Sequence, residues 1–234
     1  MIRTLIIRQL GRRYYEEIYA AMKNFTDLRS QNSRDEIWLV EHHPVFTLGR
    51  RGDVKHIHDA GNIPVVHADR GGQVTYHGPG QLVMYLLLDL QRQSLGIRSL
   101  VDILQESVIT LLIKYGINSS SRANAPGVYV NGRKIASIGL RVRRGCCYHG
   151  IGLNVAMDLT PFKRIDPCGY AGLEVTQISD LHGPDNLTHV AGDLVNVLQS
   201  NLAYDKITMD DEYTDNDPKA YSTVITSAVT LKQA

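Results

Sequence analysis

The sequence predicts an α+β fold in which mixed, mainly antiparallel β-sheets carry packed helices. Three observations support this. Segments of helical period alternate irregularly with apolar extended runs, and no regular βαβ repeat suggests a doubly wound parallel sheet. An Asn-Gly pair, Asn131-Gly132, separates two extended runs and is the strongest short-range signal of a β-hairpin. Finally, 234 residues with 43% hydrophobic and 21% charged side chains suit one compact domain and exclude collagen, coiled coil and wholesale disorder.

Residues 4–10 read as a first strand. A helix is expected over about 12–25, where Tyr14, Ile18, Ala21, Met22 and Phe25 recur at helical spacing and form a stripe facing a sheet. Ile37 to Glu41 is a buried-strand run. His42-His43-Pro44 interrupts it, Val45 to Leu48 resumes it, and the polar stretch 50–62 reads as loop. Leu82 to Leu88 is another apolar strand. The second helix, about 99–115, presents Leu100, Ile103, Leu104, Val108, Leu111, Leu112 and Tyr115 on one face. Ser99 is placed to cap it, and Gly116 stands where a C-terminal glycine belongs. The hairpin 127–130 and 134–142 follows. Arg144-Gly145 reverses the chain again into 147–155, which completes a three-stranded meander and leaves Lys134 just past a tight turn. A third helix is expected over about 187–202 from Val190, Leu194, Val197 and Leu198. The domain is expected to span 1–205. Beyond it, 206–234 is an acidic, then Ser- and Thr-rich extension expected to be loosely ordered.

A formal net charge of +1 gives no global field for nucleic acid. No apolar run approaches the ~20 residues of a membrane span, and the alternating Met1-Ile2-Arg3-Thr4 does not read as an export signal, so the expected compartment is the cytoplasm. Three cysteines agree with that setting, and the lack of a CxxC pair makes a structural zinc site unexpected. Nine histidines include no HExxH. His56 and His58, near only Asp53 and Asp59, are a weak cluster, so no metal is expected.

The densest candidate segment is 70–81, RGGQVTYHGPGQ. Its four glycines permit close backbone approach to a ligand, while Arg70, Gln73, Thr75, His77 and Gln81 offer polar atoms. A Gly-rich hairpin turn with exposed polar side chains explains the same composition. The spacing in 127–132 imitates a phosphate loop, but Arg133-Lys134 follows where Lys then Ser or Thr is required, and no helix comes next. The dinucleotide glycine pattern also fails, at Val155 and at Val83. Cys168 lies in IDPCGYAG, where Pro167 and two glycines present it on a loop. A loop thiol becomes a nucleophile only with a cation or base beside it, and Lys134, His77 and His149 are available. Cys146 and Cys147, at a strand start, read as packing residues.

Taken together these segments resemble the lipoyl(octanoyl) transferases, the lipoate-protein ligase B type of octanoyl-acyl-carrier-protein:protein N-octanoyltransferase, a branch of the biotin/lipoate protein ligase fold. Four motifs carry the resemblance in order: 70–81 with Tyr85; 125–130 (APGVYV) with 134–139 (KIASIG); 149–155 (HGIGLNV); and Pro167-Cys168-Gly169. It covers about residues 3–204, leaving out the C-terminal extension and giving no use for the Cys146-Cys147 pair.

The resemblance implies that domain 1–205 is the catalytic domain and that Cys168 takes the octanoyl group from acyl carrier protein as a thioester, with Lys134 lowering the thiol pKa and relaying the proton. It implies a substrate-binding lining of Arg70, Gly71, Gly72, Gln73, Val74, Thr75, Tyr76, His77, Ser137, Ile138, Gly139, Gly150, Ile151 and Gly152, with His149 and Asn154 in support. Acceptors would be lipoyl domains of dehydrogenase complexes and the glycine cleavage H protein, the chain acting as a monomer. Exchange of one thioester for another needs no ATP, in keeping with the failed nucleotide motifs. An apolar slot burying about six methylenes at ~0.8 kcal/mol each would contribute on the order of 5 kcal/mol. Arg141, Arg143 and Arg144 would offer a patch for an acidic carrier. The rival readings are an ATP-dependent lipoate or biotin ligase of the same fold, a cysteine hydrolase using His149 or His77, and a non-catalytic acyl-binding module.

Overall fold

The structure is a computed structural model and describes residues 2–123 and 125–210. In chain order the regular elements are β1 (Thr4–Arg13), α1 (Tyr15–Leu28), β2 (Asp35–His42), β3 (Val45–Leu48), β4 (Val65–His67), β5 (Val74–His77), β6 (Gln81–Asp89), α2 (Ile97–Lys114), β7 (Ser120–Ser121), β8 (Gly127–Val130), β9 (Arg133–Arg143), β10 (Cys146–Asn154), α3 (Leu187–Asn201) and β11 (Lys206–Met209). Eight strands form one sheet in the order β11-β1-β2-β6-β10-β9-β8-β7, and β4-β3-β5 form a second. Among the described strands β1/β11, β1/β2 and β3/β4 pair in parallel and the other pairs are antiparallel, as the α+β reading expects.

The apolar run in β6 makes it the central strand, buried on both faces. On one face Leu82, Met84, Leu86 and Leu88 pack with Leu104, Val108 and Leu111 of α2 and Val190, Leu194 and Leu198 of α3. On the other, Val83, Tyr85 and Leu87 meet Ile18 and Met22 of α1 together with Trp38 and Tyr148. Fully burying one side chain such as Met22 contributes about 1.5–3 kcal/mol. The second sheet has its own small core, in which Phe46, Leu48, Val74 and Tyr76 pack on Phe162 and Ile165. It stands over the α1 side of the large sheet, and the candidate site lies between the two.

Several element boundaries differ from the sequence reading. β1 continues to Arg13 because Gly11, at φ +66°, absorbs a register shift and lets Arg12 and Arg13 pair with Glu41 and His42. The helix therefore begins at Tyr15. Its buried stripe is Tyr15, Ile18 and Met22, while Tyr14 turns outward and stacks on His43 at 4.3 Å. α2 starts two residues before Ser99, behind Gly96, and has no side-chain cap. Its other end matches the expectation: Gly116 adopts φ +74° and donates to the Ile113 carbonyl. Asn131 and Gly132 both take positive φ, the geometry of a type I′ hairpin turn.

Cys146 and Cys147 are buried. The Cys147 thiol faces the Leu86 carbonyl at 3.4 Å, and burial pushes it up to about 12. At the far edge Lys206–Met209, assigned from sequence to the extension, pair with β1 as an eighth strand. The rest of the extension, 211–234, lies outside the described residues.

Candidate active site

Cys168 stands in a single tight turn, Pro167–Gly169, with φ +60° and ψ 15°. A non-glycine residue held there costs roughly 1–3 kcal/mol, so its surroundings must enforce the conformation. The chain beyond the turn supplies one restraint by running alongside β9: the Lys134 amide donates to the Glu174 carbonyl, and the Thr176 amide donates to the Lys134 carbonyl, both at 2.9 Å. This pairing brings the cysteine loop to the start of β9.

Lys134 is 2% exposed. Its Nζ donates to Cys168 Sγ at 2.8 Å and to the Pro126 carbonyl at 3.1 Å, and lies 5.4 Å from the centre of the Tyr129 ring. Gly127, at φ +140°, makes the room, since a Cβ there would stand 2.5 Å from Lys134 Cε. An amine in this position can hydrogen-bond the sulfur and, when it carries a proton, stabilise a thiolate there.

Cys168 lines a cleft whose other walls are Arg70 to Thr75 and His77 on one side and Ser137 to Gly139 and His149 to Gly152 on the other. Thirteen of the fourteen positions assigned to binding therefore come together there, along with His149. The exception is Tyr76. Its ring belongs to the small-sheet core, 5.5 Å from both Phe46 and Phe162, because successive strand residues face opposite sides. Asn154 does not line the cleft either. It accepts from Gln81 Nε2 at 2.9 Å and donates to the Thr176 carbonyl at 3.0 Å, and Gln81 Oε1 in turn accepts from His77 Nδ1 at 2.7 Å. That chain of bonds protonates His77 at Nδ1 and leaves Nε2 as the acceptor nitrogen.

The cleft wall is mainly apolar, with buried polar groups set into it. Arg70 is buried and donates to Thr47 Oγ1 and carbonyl at 2.8 and 2.7 Å and to the Gly71 carbonyl at 3.0 Å. None of these described partners is a carboxylate. Burial lowers its pKa, while the Tyr15 hydroxyl and the Cys168 thiol act in the opposite direction. Burial also keeps His77 neutral, down to about 3, with His42 and Arg70 adding to the effect. His149, at φ +64°, is held low by burial although its Nε2 donates to Asp69 at 2.9 Å. Burial works against the charge on Asp69, but hydrogen bonds from His149 and Tyr148 prevail and hold the carboxyl well below its usual range. The apolar part of the wall is Val74, Val83, Ile138, Ile151 and the glycines.

Sequence reasoning did not place Tyr15, Val83, Thr47, His42 or Asp69 at the site. Tyr85 was noted only as part of a motif. Tyr15 and Tyr85 line the cleft, and the Tyr85 hydroxyl donates to His42 Nε2 at 2.7 Å while His42 Nδ1 donates to the Arg13 carbonyl at 3.0 Å. A polar Thr47 inside the run VFTL and an acid directly before Arg70 were the available signals. The arginine patch is smaller than its sequence suggests, because Arg143 pairs with Asp27 at 2.8 Å and Arg144 donates to the Asp27 carbonyl. Among the described residues no three His, Cys, Asp or Glu side chains form a metal-holding group, and no helix is long and apolar enough to cross a membrane.

Comparison with known proteins gives a consistent placement. Residues 14–198 match the model of the lipoyl protein ligase A/B catalytic domain. An octanoyltransferase of Shewanella sp. (strain ANA-3) is 53% identical over 204 residues, 87% of this chain and 94% of that protein. One from Vibrio vulnificus (strain YJ016) is 52% identical over 208 residues, 89% of this chain and 95% of that one. Among solved structures, lipoate-protein ligase A bound with ATP superposes with a TM-score of 0.75 at 14% identity, covering 97% of this chain and 95% of that one. Biotin protein ligase from Aquifex aeolicus gives 0.52 at 14% identity, covering 87% and 70%. These two establish the fold. With the family model spanning most of the chain and relatives above half identity, the chain belongs to the lipoyl protein ligase A/B catalytic-domain family, alongside these octanoyltransferases.

Proposed function

We propose that the chain transfers an octanoyl group from acyl carrier protein to a lysine of lipoyl-domain proteins through a thioester on Cys168. The observation that carries this reading is the buried Lys134 ammonium 2.8 Å from Cys168 Sγ at the edge of a cleft. In the first step the Cys168 thiolate attacks the donor thioester carbonyl. The carrier's thiol leaves and takes a proton from Lys134, which becomes a neutral amine. In the second step the acceptor lysine attacks as a free amine, having left any extra proton in solvent. It passes one proton to Lys134 as the amide forms and releases Cys168 as thiolate. The ammonium–thiolate pair is thereby restored, and protons balance over the cycle.

The energetics support the same order. Thioester exchange is near balance, and amide formation from a thioester is downhill, so the transfer requires no ATP. The acceptors are lipoyl domains of dehydrogenase complexes and the glycine cleavage H protein, and the chain works as a cytoplasmic monomer.

Intact-mass measurement after mixing with octanoyl-acyl carrier protein tests the proposal. A covalent octanoyl adduct on Cys168, discharged by a lipoyl domain and not by water, is the expected result. No adduct, or a Cys168→Ser variant that retains transfer activity, would favour the ATP-dependent ligase of the same fold; discharge to water would favour a hydrolase.

A further inference from the structure

The two histidines that the sequence sets apart, His56 and His58, do not face a metal-like cluster of acids. Both turn onto one carboxylate, Asp166, two residues before Cys168. Asp166 Oδ2 accepts from His56 Nδ1 at 3.0 Å and Oδ1 accepts from His58 Nε2 at 2.9 Å. The side chain of Asp166 is only 15% exposed. The backbones engage at the same place: the Asp166 amide donates to the His56 carbonyl at 2.8 Å, the His58 amide donates to the Arg164 carbonyl at 2.9 Å, and Ile57 and Ile165 form an antiparallel bridge. Asp166 also closes the nucleophile turn, its carbonyl accepting from the Gly169 amide at 2.8 Å.

We infer that His56, Asp166 and His58 form a positioning clamp that holds the 167–169 turn and presents Cys168 Sγ to Lys134. The turn is suspended between two anchors. On one side residues 174–176 pair with Lys134; on the other the clamp fixes residues 164–166 to the loop 56–58. Each carboxylate oxygen takes one N–H, so rotation of the Asp166 side chain breaks both bonds together. Cys168 holds a left-handed conformation that a free chain seldom populates, and two fixed ends make that conformation the one that fits. The three side chains do not touch the cleft; they act through the turn. The functional consequence rests on the reading of Cys168 as the acyl-bearing nucleophile, but the geometric claim does not.

The test uses the full chain and two readouts: the single-turnover rate of octanoyl-enzyme formation, and the rate of iodoacetamide alkylation at Cys168 followed by peptide mass. The paired variant His56→Leu, His58→Leu removes both donors. The paired variant His56→Asn, His58→Gln puts an amide N–H where each imidazole N–H stood. The leucine pair should slow acyl-enzyme formation by about 10- to 100-fold, as displacement of a reacting atom by about 1 Å does, with the KM for donor little changed. The alkylation rate should change with it, and the asparagine–glutamine pair should recover most of the wild-type value in both readouts. Asp166→Ala should match the leucine pair; if it does not fold, the two paired variants still decide the matter. Wild-type rates in the leucine pair, or an asparagine–glutamine pair as slow as the leucine pair, would overturn the clamp. Cys168→Ser retaining transfer, with alkylation still responding to the clamp variants, would instead refute the nucleophile and leave the clamp standing.

Discussion

Two buried histidines, His42 and His77, make the fold sensitive to mild acid, and the size of that sensitivity follows from their surroundings. His42 is 0% exposed and His77 7%. His42 spends one ring nitrogen on the Arg13 carbonyl and the other on the Tyr85 hydroxyl, and His77 spends Nδ1 on Gln81. Burial pushes them down to about 4 and about 3. Above the unfolded value of about 6.5 both states are neutral and pH has no leverage. Below it the unfolded chain takes protons that the folded chain refuses, so stability is lost between about 6.5 and the folded values. At pH 5 that amounts to about 2 kcal/mol per histidine, or about 4 kcal/mol for the two, against a typical total of 5–15. Asp69 does not offset this, because its depressed carboxyl changes stability only in a more acidic window. Urea unfolding followed by Trp38 fluorescence at pH 7.5, 6 and 5 reads the effect directly. The midpoint should fall steeply toward pH 5, and His77→Asn, which keeps a donor for Gln81 but cannot titrate, should remove part of that slope, His42 and the likewise depressed His149 carrying the rest. A midpoint independent of pH over this range, or an unchanged slope in the variant, would refute the assignment of these rings as buried and neutral.

Two further outcomes concern the nucleophile pair. Lys134→Ala removes the buried ammonium beside Sγ, and the rate of acyl-enzyme formation at pH 7 should fall by about 10²- to 10⁴-fold in quenched-flow mass measurements, while the fold persists by circular dichroism. Gly127→Ala places a methyl 2.5 Å from Lys134 Cε at a backbone angle of φ +140°, so it should slow acylation and lower stability by roughly 1–3 kcal/mol, read as a reduced urea midpoint with an unchanged slope.

What the sequence made legible follows from how local each signal is. The Asn131-Gly132 turn, the C-terminal glycine of α2 and the apolar run of β6 are decided within a few residues, and each stands where its local chemistry puts it. The start of α1 was misplaced because a bulge at Gly11 lengthens β1, and that lengthening is driven by cross-strand pairing with β2 that no local window contains. Tyr76 is a failure of the same kind: its motif neighbours Thr75 and His77 line the cleft, but strand alternation sends the intervening ring into the small core. The distances that matter most for chemistry are also the least local. Lys134 and Cys168 are 34 positions apart, His149 and Asp69 are 80, and His56 and Asp166 are 110. Residue type alone left Lys134, His77 and His149 as candidates, because a loop thiol needs a cation or base beside it, and the family resemblance singled out Lys134. Residue type could not name the second or third, since neither His149 on β10 nor His56 in its loop shows in the sequence which distant carboxylate the fold brings to it. The polar groups of the cleft have the same origin. Arg70 and His77 lie in one segment and His149 in another, and the stacking of the small sheet over β10 gathers the guanidinium and the two neutral imidazoles around one cysteine.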